Sequence, residues 1–492
     1  MGNEDYLRKL VNEGIKKKYN LSKNINLELV PGEELTPIED SNSEFYVIKA
    51  LKERVGHELD VIAKNNFTDY FLLVYDIIHF AKTNNIPVGP GRGASVGSIV
   101  LYALDVTDID PIKYGLFFER FINEEKIVMP DIDIDVSLDG RDKIIEYLKT
   151  KNGDDNVMYI TTFGRVNAKN LLRNPKDTMD ILIDTANKLD NVVRVVSVHE
   201  SGLCVTPNNV LKQIPIRKAN KIITDKSIDK TNNCLNKIQI CTQYDMHALD
   251  NLGYWKQDIL GLKALDEIKN CIEKVKSDKE IDIDLNRISY EDEKVYNMIS
   301  NGDTEDVSGL GSEGMIEFIK DLKPNKFTDL VLAISVYRPG PDKYIDELVK
   351  RKNNPQLIER IQPLYDYILV ETYGKIIYQE QIMEILNKLS GMNLNRADIV
   401  RRSLSKKKNN EIINAKKEFI YGDINFNGCI NNEISEEIAK LIFDNLLESS
   451  AYAFNKSHAV ACAKLAYQMA YLKCYYKEEF MKSIIKNSIT KI

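Results

Sequence analysis

The run Asp131-Ile132-Asp133-Ile134-Asp135-Val136 constrains this chain more than any other stretch. Side chains alternate faces along a strand, so an extended run here puts three carboxylates on one side and packs Ile132, Ile134 and Val136 into a core on the other. Carboxylates this close repel one another unless a proton is shared or a divalent cation is held. Oxygen ligands with no His or Cys beside them favour Mg²⁺. Two plainer readings compete. An EF-hand calcium loop opens with the same spacing, but its sixth position would be Val136 where Gly is needed, and its twelfth Asp142 where Glu is needed. A solvated acidic strand is the other.

Upstream lies Val88-Gly89-Pro90-Gly91-Arg92-Gly93-Ala94-Ser95-Val96-Gly97-Ser98, followed by the apolar run Ile99 to Leu104. Dense glycine lets backbone N–H groups approach a phosphate, and a helix starting near Ser95 would aim its positive end at the same place, with Arg92 adding a guanidinium fork. The loop is not a Walker A loop, because no Gly-Lys-Ser/Thr follows, and it lacks the Gly-x-Gly-x-x-Gly spacing of dinucleotide folds. Taken singly, it also reads as a turn between two packed elements.

Further blocks follow in order: Thr107-Asp108-Ile109-Asp110-Pro111, Phe117-Phe118-Glu119-Arg120-Phe121, Thr162-Phe163-Gly164, Thr242-Gln243-Tyr244-Asp245 and Lys256-Gln257-Asp258-Ile259-Leu260-Gly261-Leu262. After them come Arg338-Pro339-Gly340-Pro341, Tyr378-Gln379-Glu380-Gln381, Arg401-Arg402-Ser403-Leu404-Ser405-Lys406-Lys407-Lys408 and Phe454-Asn455-Lys456-Ser457-His458-Ala459. Together with the loop and the acidic run, these blocks resemble, nearly end to end, the alpha subunit of bacterial DNA polymerase III, the C family of DNA polymerases.

The resemblance implies an α+β multidomain fold: a polymerase-beta-like nucleotidyltransferase palm with a mostly helical thumb and fingers. Its layout would be palm over 1–162 with N-terminal helices, thumb over 163–213, the rest of the palm over 214–264, and fingers over 265–492. It implies that Asp131, Asp133 and Asp258 hold two Mg²⁺ ions, which ready a primer 3′-hydroxyl for attack and stabilise the leaving pyrophosphate. Phosphoryl transfer asks mainly for positioning and charge neutralisation, so the remaining site residues should be cations and N–H donors. Gly91, Arg92, Gly93 and Ser95 would form the phosphate loop. Arg92, Arg120, Lys256, Arg401 and Arg402 match family positions facing the triphosphate, and Asn455, Lys456 and His458 match a block near the incoming nucleotide. Asp135 matches no such role and reads as a structural or supporting acid.

Read one at a time, these residues have plainer roles. Arg120 could pair with Glu119 or Glu124, Lys406, Lys407 and Lys408 could be a solvated helix end, and His458 could be a satisfied core or cap histidine. The segment Arg401 to Lys417 nevertheless holds seven basic residues against one acid, Glu411. On a chain of net charge -7, such a cluster marks Lys406, Lys407 and Lys408 as DNA-backbone contacts.

Two departures from the family pattern stand out. Ala94 occupies a place where the family usually has Ser, which removes one phosphate donor. The segment Ser308-Gly309-Leu310-Gly311-Ser312-Glu313-Gly314-Met315 departs from the family's Phe-Gln-Leu-Glu-Ser before Gly-Met. The block Val198-His199-Glu200-Ser201-Gly202 is only loosely similar.

At 492 residues the chain should hold several domains. Seven Cys with no Cys-x-x-Cys pair fit reduced thiols in a cytoplasmic protein and no zinc module. The polar start is not a signal peptide, and the most apolar window, Tyr70 to Ala81, is too short to span a bilayer. Apolar stripes at Leu7, Leu10, Val11, Ile15 and at Leu265, Ile268, Ile272, Val275 predict helices with one core face. Polar stretches near 151–156, 216–235, 276–281 and 421–432 read as loops.

The chain opens where the family's amino-terminal phosphoesterase-like domain would already have ended, and it stops soon after the fingers. It is therefore expected to lack the helix-hairpin-helix, clamp-binding and oligonucleotide-fold modules, and to hold primed DNA weakly unless a processivity or replisome partner supplies grip. Three function classes follow: a template-directed DNA polymerase using deoxynucleoside triphosphates, a template-independent nucleotidyltransferase, and a catalytically silent DNA-binding relative.

Overall fold

The computed structural model describes residues 2–22, 44–166, 188–206, 213–220 and 238–489. Most of the expected thumb and most of the polar stretch 216–235 lie outside the described residues. Internal contacts divide the chain into two units, Met1–Asp135 with Lys263–Lys486, and Val136–Leu262 with Asn487–Ile492.

The first unit opens with α1 (Asn3–Lys18), whose Leu7, Val11 and Ile15 are buried at four-residue spacing while Leu10 is partly buried. Glu4 and Asp5 in its first turn and Lys16, Lys17 and Lys18 in its last match the helix dipole. After α2 (Glu44–Lys64) comes α3 (Thr68–Thr83), in which the apolar window buries Tyr70, Phe71, Val74, Ile77, Ile78 and Ala81. This is a core helix; among the described residues no helix is long and apolar enough to cross a membrane.

The helix expected from Ser95 begins later. A single 3₁₀ turn covers Ser95–Gly97, and α4 (Ile99–Ala103) starts after it. The reason is the fully buried Glu58 of α2, which accepts the Ser98 hydroxyl at 2.6 Å and the N–H groups of Ile99 and Val100 at 3.1 and 3.2 Å. Arg54 balances that carboxylate at 2.6 Å and also donates to the carbonyls of Gly97 and Leu116 at 2.8 and 3.1 Å. The first donors of α4 are thus taken up by a buried anion from within the unit.

The chain then enters a mixed six-stranded sheet of order β1-β6-β3-β2-β5-β4. Its strands are β1 (Ile134–Val136), β2 (Val157–Arg165), β3 (Val193–Val205), β4 (Ile216–Asn220), β5 (Ile238–Thr242) and β6 (Lys256–Gly261). β2 pairs antiparallel with β3 and parallel with β5. The acidic run is less of a strand than its alternation predicts, because the Ile132 N–H goes to the Tyr70 hydroxyl at 3.4 Å and the ladder starts only at Ile134. The alternation of the apolar side survives: Ile132, Ile134 and Val136 are all buried. The three carboxylates differ, with Asp131 exposed, Asp133 partly buried and Asp135 buried.

In the second unit α5 (Leu138–Asn152) is capped by the Ser137 hydroxyl, which accepts the Gly140 N–H at 3.2 Å, and ends at Gly153 with φ +94°. With α6 (Met246–Asn251), the sheet encloses a core of Met158, Ile160, Cys204, Ile214 and Leu249.

The first unit resumes with α7 (Lys263–Lys279), which buries Leu265, Ile268 and Val275 as expected. It runs through positions 276–279, read above as loop, because Lys276 and Lys279 suit the negative end of a helix. Farther on stand α8 (Gln379–Ser390), α9 (Leu394–Ser405), α10 (Asn409–Tyr421), α11 (Glu436–Ser449) and α12 (Lys456–Tyr475). Met383, Leu386, Phe419, Phe443 and Leu446 form part of a core among these helices. Among the described residues the architecture is α+β, mostly helical, with one mixed sheet.

Candidate active site

In the first unit the glycine loop is held by close packing. Gly91 has φ +114°, and a Cβ there would come within 2.9 Å of Thr107 and Val96 side-chain atoms. The Arg92 Nε donates to both oxygens of Asp135, at 2.9 and 3.1 Å, so Asp135 is the acid that orients the loop cation. Burial raises the Asp135 pKa and Arg92 opposes that rise. The Ser95 hydroxyl, itself buried, donates to the Arg92 carbonyl at 2.7 Å, and the Ala94 carbonyl accepts the Gly97 N–H at 2.9 Å. Both therefore shape the turn from inside.

The Gly93 N–H reaches His458 Nδ1 at 3.3 Å, which makes that nitrogen an unprotonated acceptor. Burial, then the nearby Arg92 charge, lowers the His458 pKa. The imidazole is accordingly neutral at pH 7. Because the folded pKa is depressed, its stabilising contribution is fully present above the ordinary histidine value of about 6.5 and is lost as pH falls through the folded value. NMR titration of the ring nitrogens is expected to place His458 below 6.5 with Nδ1 as acceptor; a value above 6.5 would contradict this.

Three guanidinium groups gather farther along the same unit. Asp398, fully buried, accepts Arg401 Nε and Nη2 at 2.9 and 2.7 Å on one oxygen and Arg402 Nε at 2.6 Å on the other. Arg120 donates to Gln379 Oε1 at 2.9 Å and makes neither of its expected surface pairs, since Glu119 meets His57 and Glu124 meets Lys64. Burial and the repulsion of Arg401 pull the Arg120 pKa down to about 10, so it stays cationic at neutral pH. Cationic charge here exceeds the carboxylate that organises it.

The Phe454 to Ala459 block forms the start of α12. Asn455 is its cap, accepting the Ser457 N–H at 3.1 Å, and Glu380 of α8 accepts the N–H groups of Lys456 and Ser457 at 2.8 and 3.2 Å. Lys456 Nζ pairs with Glu371 at 2.7 Å. Lys406, Lys407 and Lys408 make the exposed turn between α9 and α10, with Lys408 paired to Glu411 at 2.7 Å.

In the second unit Asp258 lies on β6 opposite Gly202 of β3. It accepts Lys256 Nζ at 2.8 Å and the Ser201 hydroxyl at 3.2 Å, with His199 Nδ1 at 4.0 Å. A Cβ on Gly202 would crowd His199 Nδ1 at 2.9 Å, so the glycine leaves room for this group.

Asp398, Glu380 and Glu58 were not singled out as site residues, although Asp398 fixes Arg401 and Arg402, Glu380 fixes the Lys456 N–H, and Glu58 sets where α4 begins after the glycine loop. Asp398 had a signal, its spacing of three and four residues from Arg401 and Arg402 on one helix. Glu58 showed only its four-residue spacing from Arg54, because the groups of α4 that it binds lie about forty residues away.

The comparisons with known proteins agree with one another. The model of the bacterial DNA polymerase III alpha NTPase domain matches residues 5–182 and 172–261, and that of the alpha subunit finger domain matches 264–427. The chain belongs to the bacterial DNA polymerase III alpha subunit family. It is 36% identical over 482 residues to DNA polymerase III subunit alpha of Staphylococcus epidermidis, covering 90% of this chain and 43% of that one. It is 35% identical to the Aquifex aeolicus subunit over 87% of this chain and 41% of that one, and 37% identical to the Borreliella burgdorferi subunit over 89% and 40%. The chain thus spans about two fifths of the length of these alpha subunit relatives.

Proposed function

We propose that the chain carries the nucleotidyl-transfer centre of a template-directed DNA polymerase, which adds deoxynucleotides to a primer 3′-hydroxyl and releases pyrophosphate. The observation that carries this reading, in a member of this family, is the gathering of Arg120, Arg401 and Arg402, two of them sharing the Asp398 carboxylate and the third held by Gln379. Surplus guanidinium charge held rigid in a partly buried place suits a triphosphate. Arg92 spends only its Nε on Asp135, and its two Nη groups make no other hydrogen bond among the described residues, so they are free to face phosphate oxygens.

On this reading Asp131, Asp133 and Asp258 together hold two Mg²⁺ ions. An acidic group of this composition could hold a metal ion, and its oxygen-only donors suit Mg²⁺. The Lys256 ammonium on Asp258 is a counter-charge of the kind such a carboxylate requires. The ions would supply a lowered pKa at the primer hydroxyl and neutralisation of the phosphate charge. The chain's own residues do the rest: the arginines orient the triphosphate, Gly91 and Gly93 let the loop turn close to it, and neutral His458 holds the loop through the Gly93 N–H. Lys406, Lys407 and Lys408 contact the DNA backbone. The layout is a polymerase-beta-like palm over 1–162 and 214–264, a thumb over 163–213 and fingers over 265–492. A processivity or replisome partner supplies further grip on DNA in the cytoplasm.

Extension of a labelled primer on templates of different sequence tests the reading. Products that follow the template with Mg²⁺ and disappear in EDTA are expected. Addition that ignores the template, or no addition under any metal, would overturn it.

A further inference from the structure

Residues 344–376 and the end of α11 border a cavity of about 160 Å³ within the first unit, and none of the site residues named above lines it. Its walls bring Tyr344, Tyr365 and Tyr452 together with Ile358, Ile361 and Leu369, an aromatic and aliphatic lining. The charges among the walls are committed elsewhere. Arg351 and Lys375 both meet Glu347, at 2.6 and 3.0 Å, and Arg351 also donates to the carbonyls of Tyr373 and Gly374 at 3.2 and 3.3 Å. Glu448 accepts the Tyr344 hydroxyl at 2.7 Å, Asp366 accepts the Ile361 N–H at 3.1 Å, and Glu359 is exposed. Asn445 of α11 differs. Its Nδ2 donates to the Tyr365 hydroxyl at 3.3 Å, while its Oδ1 and its second N–H make no hydrogen bond among the described residues. One acceptor and one donor of a single amide are thus left over in an aromatic-walled cavity whose cations are already paired.

We propose that this cavity binds one adenine ring, with the Asn445 amide accepting from the exocyclic amine and donating to a neighbouring ring nitrogen. Three features favour that class of ligand. The volume is close to the roughly 150 Å³ of a cavity that takes benzene and below the about 300 Å³ at which drug-sized sites begin, so it suits one flat ring system and leaves any sugar outside. Both cations in the walls already hold Glu347, so a phosphate would find no uncommitted positive charge. Adenine presents a donor and an acceptor side by side, the pattern an asparagine amide complements, and aromatic walls suit the faces of a base. The ring belongs either to a free nucleoside or to an unpaired base of a strand, and the same groups would recognise both.

The test is calorimetric titration of the full chain in EDTA with adenosine, purine riboside and a twelve-residue oligodeoxyadenylate. Purine riboside has hydrogen where adenosine has its amine, so it leaves the Asn445 Oδ1 unpaired. Wild type, Asp133→Asn, Asn445→Leu and the cavity-filling Ile358→Trp are compared, with circular dichroism as the control for folding. Neither Asn445 nor Ile358 is fully buried, so the fold should survive. Adenosine is expected to bind wild type and Asp133→Asn alike, to bind Asn445→Leu at least about tenfold more weakly, and to outbind purine riboside by a similar factor, as loss of an amide–adenine pair implies. Ile358→Trp should abolish binding. Retained binding by an Asp133→Asn chain that cannot extend primers separates this site from the polymerase reading. Should the oligodeoxyadenylate bind more tightly than adenosine and displace it, the source is an unpaired base of a strand; the reverse order assigns a free nucleoside. Equal adenosine affinity in wild type and Asn445→Leu would overturn the proposal, as would equal affinity for adenosine and purine riboside, or binding that survives Ile358→Trp. If Asn445→Leu unfolds the chain, Asn445→Asp keeps the volume, loses the donor and carries the same expectation.

Discussion

The Asp133→Asn chain is expected to lose primer extension by roughly a thousandfold or more while keeping its fold and its grip on primed DNA. The substitution keeps the shape of the side chain and removes only the charge that would hold a cation. Asp133 is partly buried beside the glycine loop, where a Cβ on Gly93 would stand 3.9 Å from its Oδ2. Asp135→Asn makes the matching control. Its carboxylate is tied to the Arg92 guanidinium, so the substitution should loosen the loop and raise the nucleotide KM without abolishing turnover. Single-turnover extension with saturating nucleotide separates the two cases. Equal losses from both substitutions would show that the loop, and not bound metal, limits the reaction.

Asp398→Ala is expected to destabilise the first unit by about 3–5 kcal/mol, because it leaves the guanidinium of Arg401, only 5% exposed, and that of Arg402 without their anion. Urea denaturation followed by helical circular dichroism measures this. Asp398→Asn keeps the volume and loses the charge, and in that variant the effect on nucleotide binding can be read at temperatures where the chain remains folded. The arginines would lose their fixed orientation, so KM for the nucleotide should rise more than kcat falls. An unchanged KM would mean that the arrangement of Arg401 and Arg402 serves folding alone.

Much of this was legible in the sequence, for identifiable reasons. The stripe of α1 and that of α7 could be read because a 3.6-residue period writes a helix face directly into the chain. The apolar side of the acidic run was legible for the same kind of reason, through its two-residue period. The length of β1 was not, since a ladder needs a partner strand, and the Tyr70 hydroxyl takes the Ile132 N–H first. The start of α4 was hidden in the same way. Glycines and Ser95 announce a turn, but the position of the helix is decided by Glu58, and nothing near residue 99 reports a carboxylate on α2. Arg120 shows the limit from the other side. Sequence neighbours Glu119 and Glu124 invited a surface pair, while the fold gives both to other partners and turns the arginine towards Gln379.

The claim on which the account rests is that Asp131, Asp133 and Asp258 bind divalent ions jointly. Mn²⁺ titration followed by electron paramagnetic resonance, with Mn²⁺ standing in for Mg²⁺, tests it without requiring DNA or turnover. Two ions are expected to bind the wild-type chain, and Asp131→Asn and Asp258→Asn should each weaken that binding although their positions are more than a hundred residues apart in sequence. An Asp258→Asn chain that binds Mn²⁺ with wild-type affinity and stoichiometry would contradict the account.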